Sequence, residues 1–312
     1  MLKNKVKYIE IAEAFSGQRL DNYLVTYLKG VPKTHIYRII RKGEVRVNKK
    51  RIDPKYRLKA GDQVRLPPLE VKEAHDPIVP SKQFRDFLAT RILFEDDSFL
   101  IINKPPRIPV HGGSRIKLGL VEVLRSMYPR FPQLELAHRL DADTSGCLIL
   151  AKKRSVLREV HELLRTGKVL KVYRALTKGH WKQSELRATE SLHKNHLQSG
   201  ERIVRVHADG KPSITLFEPL ITYKQATLVE ATLETGRTHQ IRVHAQFRDH
   251  SIAGDEKYGN RDFNKYMRQF GLNRLFLHAY TIEFVLPSTG QHILVTAPLD
   301  NDLEWCLKAL EP

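Results

Sequence analysis

The chain has 312 residues, 41% of them hydrophobic and 28% charged, with 53 Lys and Arg against 35 Asp and Glu for a net charge of +18. That length predicts two domains, the apolar fraction excludes a disordered chain, and the cationic surplus points to a polyanion, nucleic acid before membrane. No apolar run approaches the ~18–20 residues of a spanning helix, so no membrane partner is expected. The N-terminus MLKNKVKYIEIAEAF has no uninterrupted apolar region and no small-residue cleavage site, and so does not read as a secretory signal. Two cysteines, Cys147 and Cys306, make neither a disulfide framework nor a metal-ligand spacing. A reducing cytoplasm is the expected location.

Residues 1–16 read as an N-terminal extension and residues 17–67 as a small basic α/β module. Leu20, Tyr23, Leu24, Tyr27 and Leu28 recur at helical spacing. A second helix follows Pro32, with Ile36, Ile39 and Ile40 inward, and Gly43 closes it. Val45, Val47 and then Val64, Leu66 alternate as short strands. Residues 16–66 hold fourteen Lys or Arg against four Asp or Glu, a surplus of ten and more than half of the total. Arg38, Arg41 and Lys42 near the end of the second helix, with Lys49, Lys50 and Arg51 in the following hairpin, can grip one nucleic-acid backbone. The alternative is a merely solvated basic face; the clustering favours RNA, with phosphate contacts that add affinity without reading bases. Residues 67–82 carry four prolines and no sustained periodicity, so 68–85 reads as a linker.

Residues 86–312 form the body. RILFEDDSFLIINK (91–104) reads as two strands around an Asp-Asp-Ser turn, followed by a proline- and glycine-rich loop (104–114) and a helix near 118–127. CLILA (147–151) is a buried strand. Ser155 is a candidate cap for a helix with Leu157, Val160, Leu163 and Leu164 inward, ended by Gly167. VLKVYRALTKG (169–179) and ATLVEATL (226–233) alternate as strands, GRTHQIRVHAQ (236–246) turns at Gly236 into a short helix, and 275–286 and 292–298 complete a strand-rich set. Many strands with few intervening helices predict an α+β fold with a mostly antiparallel mixed sheet.

The stretch LAHRLDADTSGCLILAKK (136–153) sets dense polar groups at the mouth of an apolar strand. Arg139 and Asp141, two apart in extended chain, share a face. Three readings are open: a structural ion pair; a metal site through Asp141 and Asp143, although no third acid stands nearby in sequence; and a single catalytic carboxylate, kept ionised by an arginine, in a basic RNA site. His239 and His244 are five apart and splay around a helix, which favours capping or RNA contact over metal. His138 reads as orienting the loop.

The third reading gains from resemblance. RLDNYL, RKGEVRVNKK and LKAGDQVRL resemble an S4 RNA-binding domain, with Lys49 where many relatives carry glycine. HRLDADTSG (138–146) resembles the HRLDxxTSG signature of the RluA-type pseudouridine synthases, and KVYRAL (171–176), GRTHQIRVH (236–244), GDEKYG (254–259) and RLFLHA (274–279) resemble their further motifs, in order. Together the two resemblances cover nearly the whole chain. They imply isomerisation of specific uridines in 23S ribosomal RNA, by a monomer, without metal or other cofactor. They imply that Asp141 is the catalytic carboxylate, that Tyr173 packs on the target base, that Arg242 pairs with Asp141, and that Arg139 helps displace the base. Leu277 lies under the base or in the core. Departures are Ala142, where close relatives often carry a basic residue, and Ser251, where His-Pro is usual. The rivals are the same reaction on transfer RNA, or a non-catalytic ribosome-assembly factor.

Overall fold

The computed structural model describes residues 6–28, 31–69, 80–112, 118–183, 186–196 and 202–310. The chain divides into two compact units, residues 1–78 and 79–312.

In the first unit, helices Leu20–Tyr27 and Lys33–Arg41 share a core with a three-stranded antiparallel sheet ordered Lys7–Glu10, Gln63–Leu66, Arg46–Val47. The inward residues are those the periodicity marked: Leu20, Leu24, Ile36, Ile39, Ile40, Val45, Val47 and Val64 are buried. The segment expected as an extension is instead part of this unit. Lys7–Glu10 pairs with Gln63–Leu66, and Ile11 is buried in the same core. Its strand has no residue buried, so it carries no inside-outside alternation to read. Asp21 is buried and accepts bonds from the Arg19 guanidinium and, at 2.8 Å, from the Tyr37 hydroxyl. Asp62 accepts from Asn48, Tyr56 and the Lys59 amide. The acids of the two RNA-module motifs are therefore framework. Lys49 takes a left-handed φ of 66° without glycine's freedom, next to Asn48 at 49°. Arg38, Arg41, Lys42, Lys49, Lys50 and Arg51 are all exposed. Arg51 donates to the Lys42 carbonyl at 2.8 Å, closing the end of the second helix.

Of the expected linker, residues 70–79 lie outside the described residues, and its last positions open a helix, Lys82–Ala89, whose first turn the Ser81 side chain caps. The second unit is built on a ten-stranded sheet. Its main path runs Ile92–Glu95, Phe99–Lys104, Ser145–Ala151, Leu277–Val285, Leu170–Lys178, Ala226–Leu233, Thr215–Thr222, Arg187–Ala188. Glu135–Leu136 joins beside Ser145–Ala151, and His292–Thr296 beside Leu277–Val285. The strands Phe99–Lys104 and Ser145–Ala151 are buried at every position, including the polar residues Asn103, Lys104 and Ser145 beside their apolar runs. The sheet is mostly antiparallel and the class α+β. The sequence reading did not include the strands Glu135–Leu136, Arg187–Ala188 and Thr215–Thr222, the pair Leu192–His196 with Arg202–Val206, or helices Arg261–Arg268 and Asn301–Ala309. The helix Arg154–Arg165 starts two residues earlier than expected. Lys153, not Ser155, is its N-cap, without a side-chain bond.

Among the described strands one pairing is parallel: His278 and Ala279 meet Ser145 and Gly146. Gly146 has φ 107°, and a Cβ there would stand 2.2 Å from the Ala279 carbonyl oxygen. Only glycine fits this approach. Gly146→Ala is therefore expected to destabilise the protein by about 2–3 kcal/mol, read from urea unfolding; an unchanged midpoint would show that the seam opens without cost.

Candidate active site

Asp141 sits in a tight turn, closed by the Thr144 amide donating to its carbonyl at 3.2 Å. Three groups set that turn. From beneath, buried Lys104 donates to the carbonyls of Ala142, Pro105 and Ile108 at 2.8, 2.8 and 2.9 Å. Burial presses this ammonium down to about 7, against the pull of Asp143 and Asp141. Its three hydrogens each have an acceptor, an arrangement that only the charged form completes. At the turn's end, the Ser145 hydroxyl accepts from Arg274 at 2.9 Å and donates to Nδ1 of His278 at 2.8 Å. Nε2 of His278 then donates to the Ala297 carbonyl at 3.1 Å. Burial pushes His278 down to about 4, so the ring is neutral and its two nitrogens take these opposite roles. Arg274 is held in turn by Asp300 and Asp302. Before the turn, His138 accepts the Ile149 amide hydrogen at 3.1 Å, and burial holds its ring at about 4. It orients the loop.

Nη1 of Arg242, from the helix Gln240–Phe247, donates to Oδ2 of Asp141 at 3.1 Å. The rest of that guanidinium forks onto Asp255, Nε to Oδ2 at 2.7 Å and Nη2 to Oδ1 at 2.8 Å. Asp255 is buried and also accepts the amides of Lys257 and Tyr258, each at 2.9 Å. A bidentate pair fixes the plane of the arginine and with it the direction of the Nη1 hydrogen that reaches Asp141. The Tyr258 ring lies 5.0 Å from the Arg242 guanidinium carbon. The Asp141 side chain is 22% exposed and faces a cleft of about 590 Å³, within the range of small-ligand sites.

Tyr173 and Leu277 line this cleft and are both buried. Leu277 thus belongs to the pocket wall and to the core together. Burial raises the Tyr173 hydroxyl above its usual value, and the Asp141 charge adds to the rise, so it stays a phenol. Arg139, Arg165, Lys171 and Arg237 line the cleft as well and make its walls cationic. A second cleft of about 480 Å³ shares Arg139, Asp141, His239 and Arg242 and adds Arg107, Lys257 and Arg268.

The local pairing of Arg139 with Asp141, one of the open readings, is not the pair that forms. Arg139 is exposed, and the arginine on Asp141 is Arg242, 101 residues away. His239 is not a cap through its side chain: Nε2 stands 3.6 Å from Oδ2 of Asp141, and no side-chain cap bond is made. His244 is fully buried between Ser213, Thr215 and the Glu190 carbonyl, so its ring is not open to RNA. Among the described residues no three His, Cys, Asp or Glu stand close enough to hold a metal ion. Asp255, Lys104 and the Ser145–His278–Arg274 group were missed. One signal was available: Arg242 lies between Ile241 and Val243 in a helix buried from Gln240 to Ala245, and a buried guanidinium demands a carboxylate.

Comparison with known proteins agrees with this architecture. Residues 98–247 match the RNA pseudouridylate synthase family and residues 18–64 the S4 domain. The chain is 53% identical to the ribosomal large subunit pseudouridine synthase C of Haemophilus influenzae, over 99% of this chain and 97% of that one. It is 52% identical to the protein of the same name from Escherichia coli K12, over 98% and 97%. A solved structure, human RNA pseudouridylate synthase domain containing 4, superposes with a TM-score of 0.60 at 26% identity, covering 73% of this chain and 95% of that one.

Proposed function

The chain belongs to the RNA pseudouridylate synthase family, and from that membership we propose that it isomerises specific uridines of 23S ribosomal RNA to pseudouridine, with Asp141 as the catalytic carboxylate. The observation that carries the reading of the site is the Asp141 carboxylate held by a fixed arginine in a cationic cleft beside Tyr173. The reaction breaks the N1–C1′ bond, turns the uracil within the cleft, joins C5 to C1′ and releases the C5 proton. Atoms are conserved, so no cofactor need enter. The work is orientation and charge, which Asp141 and its partners supply.

The target uridine must leave its stack to reach Asp141. Arg139 fills the vacated stack, a reading supported by its exposure and by its lining both clefts. The Tyr173 ring offers a face to the extruded base, and Leu277 an apolar floor. Arg38, Arg41, Lys42, Lys49 and Lys50 hold RNA phosphates, with Arg51 shaping the turn that presents them. The protein acts as a monomer in the cytoplasm; no helix among the described residues is long and apolar enough to cross a membrane.

The test is to incubate the purified protein, without added cofactor, with unmodified 23S ribosomal RNA and with transfer RNA, and to map pseudouridine by chemical labelling and primer extension. Pseudouridine at discrete positions in the 23S RNA alone is the expected result. Modification confined to transfer RNA overturns the substrate, and binding without modification of either RNA overturns the reaction.

A further inference from the structure

His239 heads the helix Gln240–Phe247 with φ 54° and ψ 23°, the left-handed region. A residue with a Cβ is strained there, and such strain persists only where the surroundings hold it. Its holding contacts are specific. Nδ1 lies 2.7 Å from the Tyr258 hydroxyl, and that hydroxyl accepts the Val204 amide hydrogen at 3.0 Å. The hydroxyl has one proton to give, and among the described residues its remaining partner is Nδ1. The ring's own hydrogen therefore sits on Nε2. Nε2 points at Oδ2 of Asp141 from 3.6 Å, the same oxygen that takes the Arg242 bond at 3.1 Å. Among the described residues no donor is bonded to Oδ1.

We propose that His239 is a positioning residue for Asp141: with Arg242 it tethers Oδ2, so that Oδ1 is the oxygen presented to the ribosyl carbon or its proton. The inference rests on Asp141 being the reactive carboxylate. At 3.6 Å the imidazole is just outside hydrogen-bond range, and an inward shift of ~0.5 Å completes the bond. Filling the cleft excludes water from between them and favours that closure. Burial lowers the ring's pKa from its ordinary value, against the pull of Asp141 and Asp255 and with the push of Arg242 and Lys257. The ring is neutral at neutral pH, a donor that does not cancel the carboxylate's charge. Tyr258 serves both neighbours of Asp141, bonding His239 and lying beside Arg242.

Three variants of the full-length protein test this, assayed for pseudouridine formation on 23S RNA beside Asp141→Asn. Asparagine settles readily in the left-handed region, so His239→Asn keeps the backbone, yet it is too short to reach Oδ2. Its kcat is expected to fall about tenfold with KM within twofold and no loss of Tm. Glutamine carries an amide nitrogen as far from the backbone as Nε2, so His239→Gln recovers part of the lost kcat. Tyr258→Phe leaves the histidine without its proton donor and lowers kcat to a similar extent. Wild-type kcat in His239→Asn, with Asp141→Asn inactive, overturns the inference alone. A rise in KM with kcat unchanged also overturns it and makes His239 an RNA contact. Wild-type activity in Asp141→Asn sinks the reading on which the inference stands.

Discussion

Asp141→Asn is expected to bind 23S ribosomal RNA as tightly as the wild type and to form pseudouridine at a rate lower by on the order of 10⁴ or more. Asparagine matches aspartate in shape and loses only the charge. Arg242 keeps its fork on Asp255, so the scaffold is not undone. The side chain is 22% exposed, so its neutral replacement costs little in folding, within about 1 kcal/mol. Removing one negative charge from a cationic cleft does not weaken affinity for a polyanion. Filter binding, urea unfolding and single-turnover pseudouridine formation separate the three quantities. A variant that retains one per cent of the wild-type rate would transfer the reactive role to another group.

Arg242→Met has a different expected signature, a folding defect that shrinks in acid. It strands Asp255, whose side chain is 1% exposed, as an unpaired buried charge, at a cost of about 3–5 kcal/mol near neutral pH. It also frees Asp141, so activity falls with stability. In the wild type, burial alone would raise the Asp255 carboxyl; the Arg242 bonds and charge and the amides of Tyr258 and Lys257 overcome it and hold the carboxyl below its usual value. The wild-type contribution is therefore complete above the unfolded value of ~3.9 and is lost as pH falls through the lower folded one. In the variant the uncompensated burial raises the carboxyl, so protonation relieves the penalty on moving from pH 7.5 toward 5. Urea unfolding at both values should show the gap between the two proteins narrowing. A gap independent of pH would place the damage in lost packing.

The residues proposed to react were legible because each stands in a short dense motif, and a motif survives without knowledge of the fold. Its supporting members were not, because their partners come from far along the chain. Extended geometry puts Arg139 on the same face as Asp141; the bond to Arg242 was implied by the resemblance alone, since local spacing cannot show a partner carried in by a helix 101 residues away. Asp255 lay inside a recognised motif, but nothing local says that GDEKYG must neutralise an arginine thirteen residues earlier. Lys104 reads as one more surface cation until the loop closes over it and every hydrogen finds a carbonyl. In the fold, strands with strong apolar runs were plain. The strand Lys7–Glu10, which buries none of its residues, and the largely polar strands Leu192–His196 and Arg202–Val206 have no such pattern.

Every group that sets Asp141, apart from Lys104 and His138, is translated after it: Ser145, Arg242, Asp255, Arg274, His278 and finally Asp300 and Asp302. The last of these emerges roughly 160 residues later, some ten to thirty seconds at ~5–20 residues per second. The arginine that bonds the carboxylate, Arg242, follows it by 101 residues, and the acids that hold Arg274 come later still. The surroundings of Asp141 are thus completed only close to the end of synthesis.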